Sequence, residues 1–183
     1  NGQNWNQLGL DIDGEASNDR FGKSVSLNAT GDRLAIGANW NDGNGTDAGH
    51  VRIYEWSGTA WVKLGLDIDG ESADDHFGYS VSMNALGDRV AIGSTGGFLS
   101  NFPNSGHAMI YQWSGTAWEQ LGLDINGEAH NDKFGYSVSM NANGNRVAIG
   151  AKNNDGNGSN SGHVRIYEWS STSWVKLGQD IDG

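Results

Sequence analysis

No cysteine occurs in the 183 residues. That excludes disulfides, thiol chemistry and haem-type attachment through sulfur, and it leaves the compartment open. Proline occurs once, at Pro103. Basic residues are scarce, 11 Lys and Arg against 22 Asp and Glu, for a net charge of -11. A phosphate backbone or an anionic membrane surface would be repelled, so neither nucleic acid nor membrane is an expected partner. No apolar run approaches the length of a membrane span. No stretch sustains the 3.6-residue apolar period of a helix. No signal-peptide pattern is visible, which suits a mature chain, a fragment or a cytosolic protein. No Ser-His-Asp set, P-loop or dinucleotide fingerprint is present. Hydrophobic residues make up 36% and the mean hydropathy is -0.55, low for a packed α/β enzyme.

Glycine, at 29 residues, and tryptophan, at eight, are abundant. Together they suit short strands joined by tight turns. The dominant signal is repetition. The phrase LGLDIDGE at 8–15 returns at 64–71, as LGLDINGE at 121–128, and in shortened form, LGQDIDG, at 177–183. Trp5, Trp61, Trp118 and Trp174 keep the same spacing, as do Phe21, Phe77 and Phe134.

Each repeat reads as four strands. The first is Phe21–Ala29, with Val25, Leu27 and Ala29 on one face and Ser24, Ser26 and Asn28 on the other. Arg33–Gly37, 49–56 and 61–68 are the second, third and fourth. The expected fold is all-β and a single domain over 1–183. Three propeller-type blades (15–70, 71–127 and 128–183) follow a surplus outer strand at 1–14. A three-fold trefoil or prism also accommodates three repeats of four strands. Closed propellers have four to eight blades. The surplus strand, with Trp5 at the repeated position and Leu8, Leu10 and Ile12 on one face, is therefore expected to pair with a neighbouring chain or to fill an open edge.

The motif F-G-K-S-V-S…R-L-A-I-G-A, with its copies at Phe77–Ser94 and Phe134–Ala151, resembles FG-GAP repeats, the blades of integrin-α-type propellers. The resemblance covers all three repeats. It implies an extracellular binding or adhesion module. In that family the loop between the first two strands often carries a D-x-D-x-D-G calcium motif. Here Ala29-Thr30-Gly31-Asp32 is too short and too poor in carboxylates to match it.

The paired carboxylates of D-I-D-G-E recur once per repeat, as structure does, whereas an active site is usually unique. They read as solvated turns. His50, His107 and His163 recur before the third strand and read as structural. The repeated Trp and Tyr residues read as packing between blades. The variable loop after the second strand holds the candidate sites. Asn39, Asn41, Asp42, Asn44 and Asp47, with Asp155 and Asn157 in the third repeat, resemble a weak Ca2+ loop. Trp40, Phe98 and Phe102 are aromatics without counterparts and are candidates to stack on a sugar or a protein. Asn28, Asn44 and Asn157 begin N-x-S/T triplets, which suit glycosylation. The expectation is a non-enzymatic extracellular repeat protein that associates with itself as an oligomer or filament, or plays an adhesive role. The alternative is a lectin-like module binding a glycan or a cell-surface protein.

Overall fold

A computed structural model gives the structure, which describes residues 4–96 and 104–183. Each repeat forms one antiparallel sheet, and the three sheets have the same plan. The first strands are β1 (Ser24–Leu27), β6 (Ser80–Met83) and β11 (Phe134–Met140). The second strands are β2 (Arg33–Ala38), β7 (Arg89–Ser94) and β12 (Arg146–Ala151). The third are β3 (His50–Trp56), β8 (His107–Trp113) and β13 (His163–Trp169). In the first sheet the fourth is split into β4 (Trp61–Lys63) and β5 (Ile68–Asp69), both paired with β3. The other sheets repeat this with β9 (Trp118–Gln120) and β10 (Ile125–Asn126), then β14 (Trp174–Lys176) and β15 (Ile181–Asp182). The inner strands β1, β6 and β11 lie beside one another, so the sheets are blades set around one side of an axis.

The uninterrupted strand expected over 61–68 is broken for a physical reason. Leu64 N still bonds Ile53 O at 2.7 Å. Gly65 then adopts a φ of +84°, which suits glycine, and carries the chain outward until Ile68 rejoins β3. The carbonyl of Leu64, turned away from the sheet, accepts a bond from Trp118 Nε1 of the next blade at 2.9 Å. The tight turn after each first strand is held by an asparagine side chain. Asn28 Oδ1 accepts from the backbone N–H groups of Asp32 and Arg33, both at 3.0 Å. Asn84 and Asn141 repeat the arrangement. Such Asx turns explain why every copy has Asn at this position.

The cores lie between blades, not within them. The period-2 alternation sends Val51, Ile53 and Ile68 of blade 1 against Phe77, Val81, Met83, Val90, Ile92 and Met109 of blade 2. Ala108, Ile110 and Ile125 of blade 2 meet Phe134, Met140, Val147 and Ile149 of blade 3 in the same way. Phe77 and Phe134 are wholly buried, a contribution of about 1.5–3 kcal/mol each.

Candidate functional site

Two joints, between blades 1 and 2 and between blades 2 and 3, use one set of fittings. Ser24 Oγ donates to Gly78 O, and Ser80 Oγ to Gly135 O, each at 2.8 Å. Ser26 Oγ accepts from Met83 N, and Ser82 Oγ from Met140 N, each at 2.9 Å. Phe77 N donates to Ala48 O and Phe134 N to Ser105 O, beside single parallel bridges at Gly49 and Gly106. Gly37 and Gly93 are glycine because a Cβ there would overlap the carbonyl of Gly78 or Gly135. The serine face of the first strand therefore works as the connector between blades.

The end faces carry the same fittings without a partner among the described residues. On blade 3, a Cβ at Gly150 would meet only Ser137, and one at Gly162 would meet only its own loop. Ile181 is 57% exposed where Ile68 and Ile125 are 6% exposed. A cleft of about 450 Å³ opens there between Tyr136, Gly150, Gly162, Val164 and Ile181. On blade 1, Val25 is 62% exposed where Val81 is 9% exposed. Residues 4–14 form no strand, and Trp5, Leu8 and Leu10 are exposed while Ile12 is half-buried. They nevertheless lie where an outer strand of a preceding blade would lie. Gly9 packs on Trp56 and Trp61, and Gly14 on Phe21, as Gly65 packs on Trp113 and Trp118 and Gly70 on Phe77.

The histidines and repeated carboxylates converge. His50 Nδ1 lies 3.8 Å from Glu15, and His163 Nδ1 lies 3.8 Å from Glu128. With Asp67 and Asp180 these make two His-Glu-Asp groups whose ligand atoms lie within 4.8 Å of one another. An arginine fills each group. Arg52 donates to both oxygens of Asp67 at 2.9 Å and to Glu15. Arg165 does the same with Asp180 and Glu128. These are bidentate charge-assisted pairs, not cation cages. Burial alone would raise the Asp67 pKa, but hydrogen bonds from Arg52 and Lys63 bring it down to about 2. The Arg52 hydrogen bond holds Glu15 below its ordinary value. Burial lowers the pKa of His50, so the imidazole is neutral at pH 7. In blade 2 the arginine position is the core residue Met109.

The variable loops hold themselves together. Asn41 Nδ2 donates at 2.8 Å to both Glu15 and Asp19, taking the place a cation would occupy between two carboxylates. Asn41 Oδ1 accepts from Gly43 N, and Asp42 Oδ1 from Asp47 N. Asp155 bonds Asn160 N in the same way. Calcium takes six to eight oxygens, and this donor-rich set does not fit it. Asn39 is buried, and its Oδ1 has no partner among the described residues. Of the glycosylation triplets, Asn28 is buried in its turn, Asn44 Nδ2 donates to Gly70 O, and Asn157 Nδ2 donates to Gly183 O. Trp40 lies under the Arg20 guanidinium, 3.1 Å from the ring centroid. Phe98 and Phe102 lie outside the described residues.

The FG-GAP repeat family matches residues 11–54 and 126–167, which span the first and third inner-strand sets. Two stretches of the chain are thus similar to FG-GAP repeats. No curated protein matches the sequence. Among solved structures, a hydrazine synthase of Kuenenia stuttgartiensis, a propeller-type protein, superposes with a TM-score of 0.54 over 87% of this chain at 10% identity. The chain spans 36% of that structure's chain, and the likeness is one of fold alone. The trefoil and prism alternatives are set aside by three separate sheets arranged as blades.

The histidines read as structural from the sequence, yet Glu15 and Asp67 reach His50 from the two flanking copies of the LGLDIDGE phrase. The matching recurrence of His, Glu and Asp at one period was the available signal. Arg52 and Arg165, present in the first and third repeats and replaced by Met109 in the second, were a second signal.

Proposed function

We propose that the chain is a non-enzymatic, extracellular propeller module that serves as a structural scaffold. Its end faces join to further blades of the same kind, and in the isolated chain that blade comes from a second copy. The observation that carries this reading is the face of blade 3. Ser137, Ser139 and the Ser161 carbonyl stand where Ser80, Ser82 and the Ser105 carbonyl make the preceding joint. Blade 1 offers the complementary Phe21, Val25 and Leu27, the last two more than half exposed. A contact of this kind is head-to-tail, so it generates a ring or a filament. Two chains would supply six blades, within the range of about four to eight in which propellers close. FG-GAP repeats are typical of extracellular or surface proteins, and no helix among the described residues is long and apolar enough to cross a membrane. The absence of enzymatic activity is supported by Asp67 and Asp180, which are committed to Arg52, Lys63, Arg165 and Lys176.

Sedimentation velocity on the 183-residue chain, run beside Gly150→Trp, tests the reading. Concentration-dependent association is expected, and the indole should abolish it without changing the circular dichroism. A chain that stays monomeric throughout overturns the assembly role.

A further inference from the structure

The chain has 11 Lys and Arg residues. Arg33, Arg52, Lys63, Arg146, Arg165 and Lys176 pair with carboxylates. Arg89 is held by Gln112 and by Gly144 O. Arg20, Lys23, Lys133 and Lys152 are left without a carboxylate among the described residues, and 1–3 and 97–103 contain no Asp or Glu. In so acidic a chain, four unpaired cations are notable only if they are together, and they are. Lys23 Nζ lies over the Tyr79 ring at 4.1 Å, and Lys152 Nζ over the Tyr136 ring at 4.2 Å. The two rings pack against each other with centroids 5.1 Å apart. Lys133 Nζ donates to Thr95 O nearby, and Arg20 covers Trp40.

The backbone builds this grouping. Arg20 and Lys133 both have a φ of +58°, directly after the buried Asp19 and Asp132. The aspartates turn inward to Asn41 and Asn154, and the cations that follow them turn away. Their nearest carboxylates in sequence are thus removed. Burial and the Lys152 charge lower the pKa of Lys133, a like-charge strain that an anion would relieve. An ammonium has three donors, and one lying over a ring keeps them for an anion.

We propose that Lys23 and Lys152, one over each ring of the Tyr79–Tyr136 pair and flanked by Arg20 and Lys133, bind the acidic groups of a short anionic oligosaccharide, sulfated or uronic. Shortness follows from charge, because the net -11 would repel a long polyanion beyond the patch. A sugar is favoured over an acidic peptide because the cations lie on the aromatic rings of Trp40, Tyr79 and Tyr136, which also suit the faces of a sugar ring. Lys152 also stands where Asn39 and Thr95 are buried at the internal joints. A blade docked on blade 3 would cover it, so ligand and docking exclude each other.

The test is isothermal titration of the 183-residue chain with a fully sulfated tetrasaccharide, at low ionic strength and at protein concentrations where the chain is monomeric. Saturable binding is expected, weakened about tenfold or more in Lys23→Ala/Lys152→Ala. Lys63→Ala/Lys176→Ala removes the same charge and should bind like the parent chain. Absence of saturable binding, or equal losses in both doubles, overturns the site. A hexaglutamate peptide that binds as tightly as the sugar overturns the assignment to a glycan. Failure of the assembly reading appears only in sedimentation and leaves this titration unaffected.

Discussion

The indole nitrogen of Trp61 donates to the carbonyl of Leu8 at 3.1 Å, the same bond that Trp118 makes to Leu64 and Trp174 to Leu121. Residues 4–14 thus occupy the outer-strand position of a blade preceding blade 1. A second copy docking its blade 3 on blade 1 would bring β14 and β15 to that same place. The contacts of β14 and β15 with β13 form a ladder, whereas residues 4–14 have none, so residues 4–14 are the ones to yield. A chain beginning at Glu15 is therefore expected to associate about tenfold more tightly by sedimentation velocity, a change of roughly 1.4 kcal/mol. Weaker association on deletion would instead show that this segment donates a strand to a neighbour.

Gly93 and Gly150 occupy the same position in consecutive repeats, yet only Gly93 faces a carbonyl of a following blade. Gly93→Ala should cost about 1–3 kcal/mol through overpacking, lowering the melting temperature by about 3–10 °C. Gly150→Ala should cost less than half of that. Equal shifts in calorimetry would show that the joint does not set the glycine requirement.

Replacing Arg52 by Met, the residue found at this position in blade 2, leaves Glu15 and Asp67 without their main partner. A loss of about 1–2 kcal/mol at pH 7 is expected, kept small by the exposure of Glu15. Asp67 has a depressed folded pKa of about 2 against an ordinary 3.8. Its stabilising effect is therefore fully present above the ordinary value and is lost as the pH falls through about 2. Thermal melts of the parent and variant should separate at neutral pH and converge between about pH 4 and pH 2. A gap independent of pH would assign the loss to packing.

Trp40→Ala should lower stability by only about 0.5–1 kcal/mol, the scale of an exposed cation–π contact with Arg20. A loss of several kcal/mol in chemical denaturation would mark Trp40 as a core residue.

The strands were legible because their signal is local. Val81 and Met83 alternate with Ser80 and Ser82, and Asn84 declares the turn that follows. The break at Gly65 was not legible, because the reason for it lies in Trp113 and Trp118 of the next blade. The loop read as a weak cation site shows the limit of composition. Asn41 supplies donors as well as an acceptor, and only its placement between Glu15 and Asp19 decides which group it presents to them.

By itself, the sequence determined the all-β class, the three repeats, their turns and the family resemblance. Each of these depends on side-chain alternation and turn chemistry within a few residues. Only the tertiary structure decided that the cores lie between blades, that His50 meets Glu15 and Asp67, and that four unpaired cations gather around Tyr79 and Tyr136. The joints between blades bring together residues about one repeat apart, such as Ser24 and Gly78, 54 positions distant. Their geometry is set by how one twisted sheet packs on the next, which no local pattern encodes.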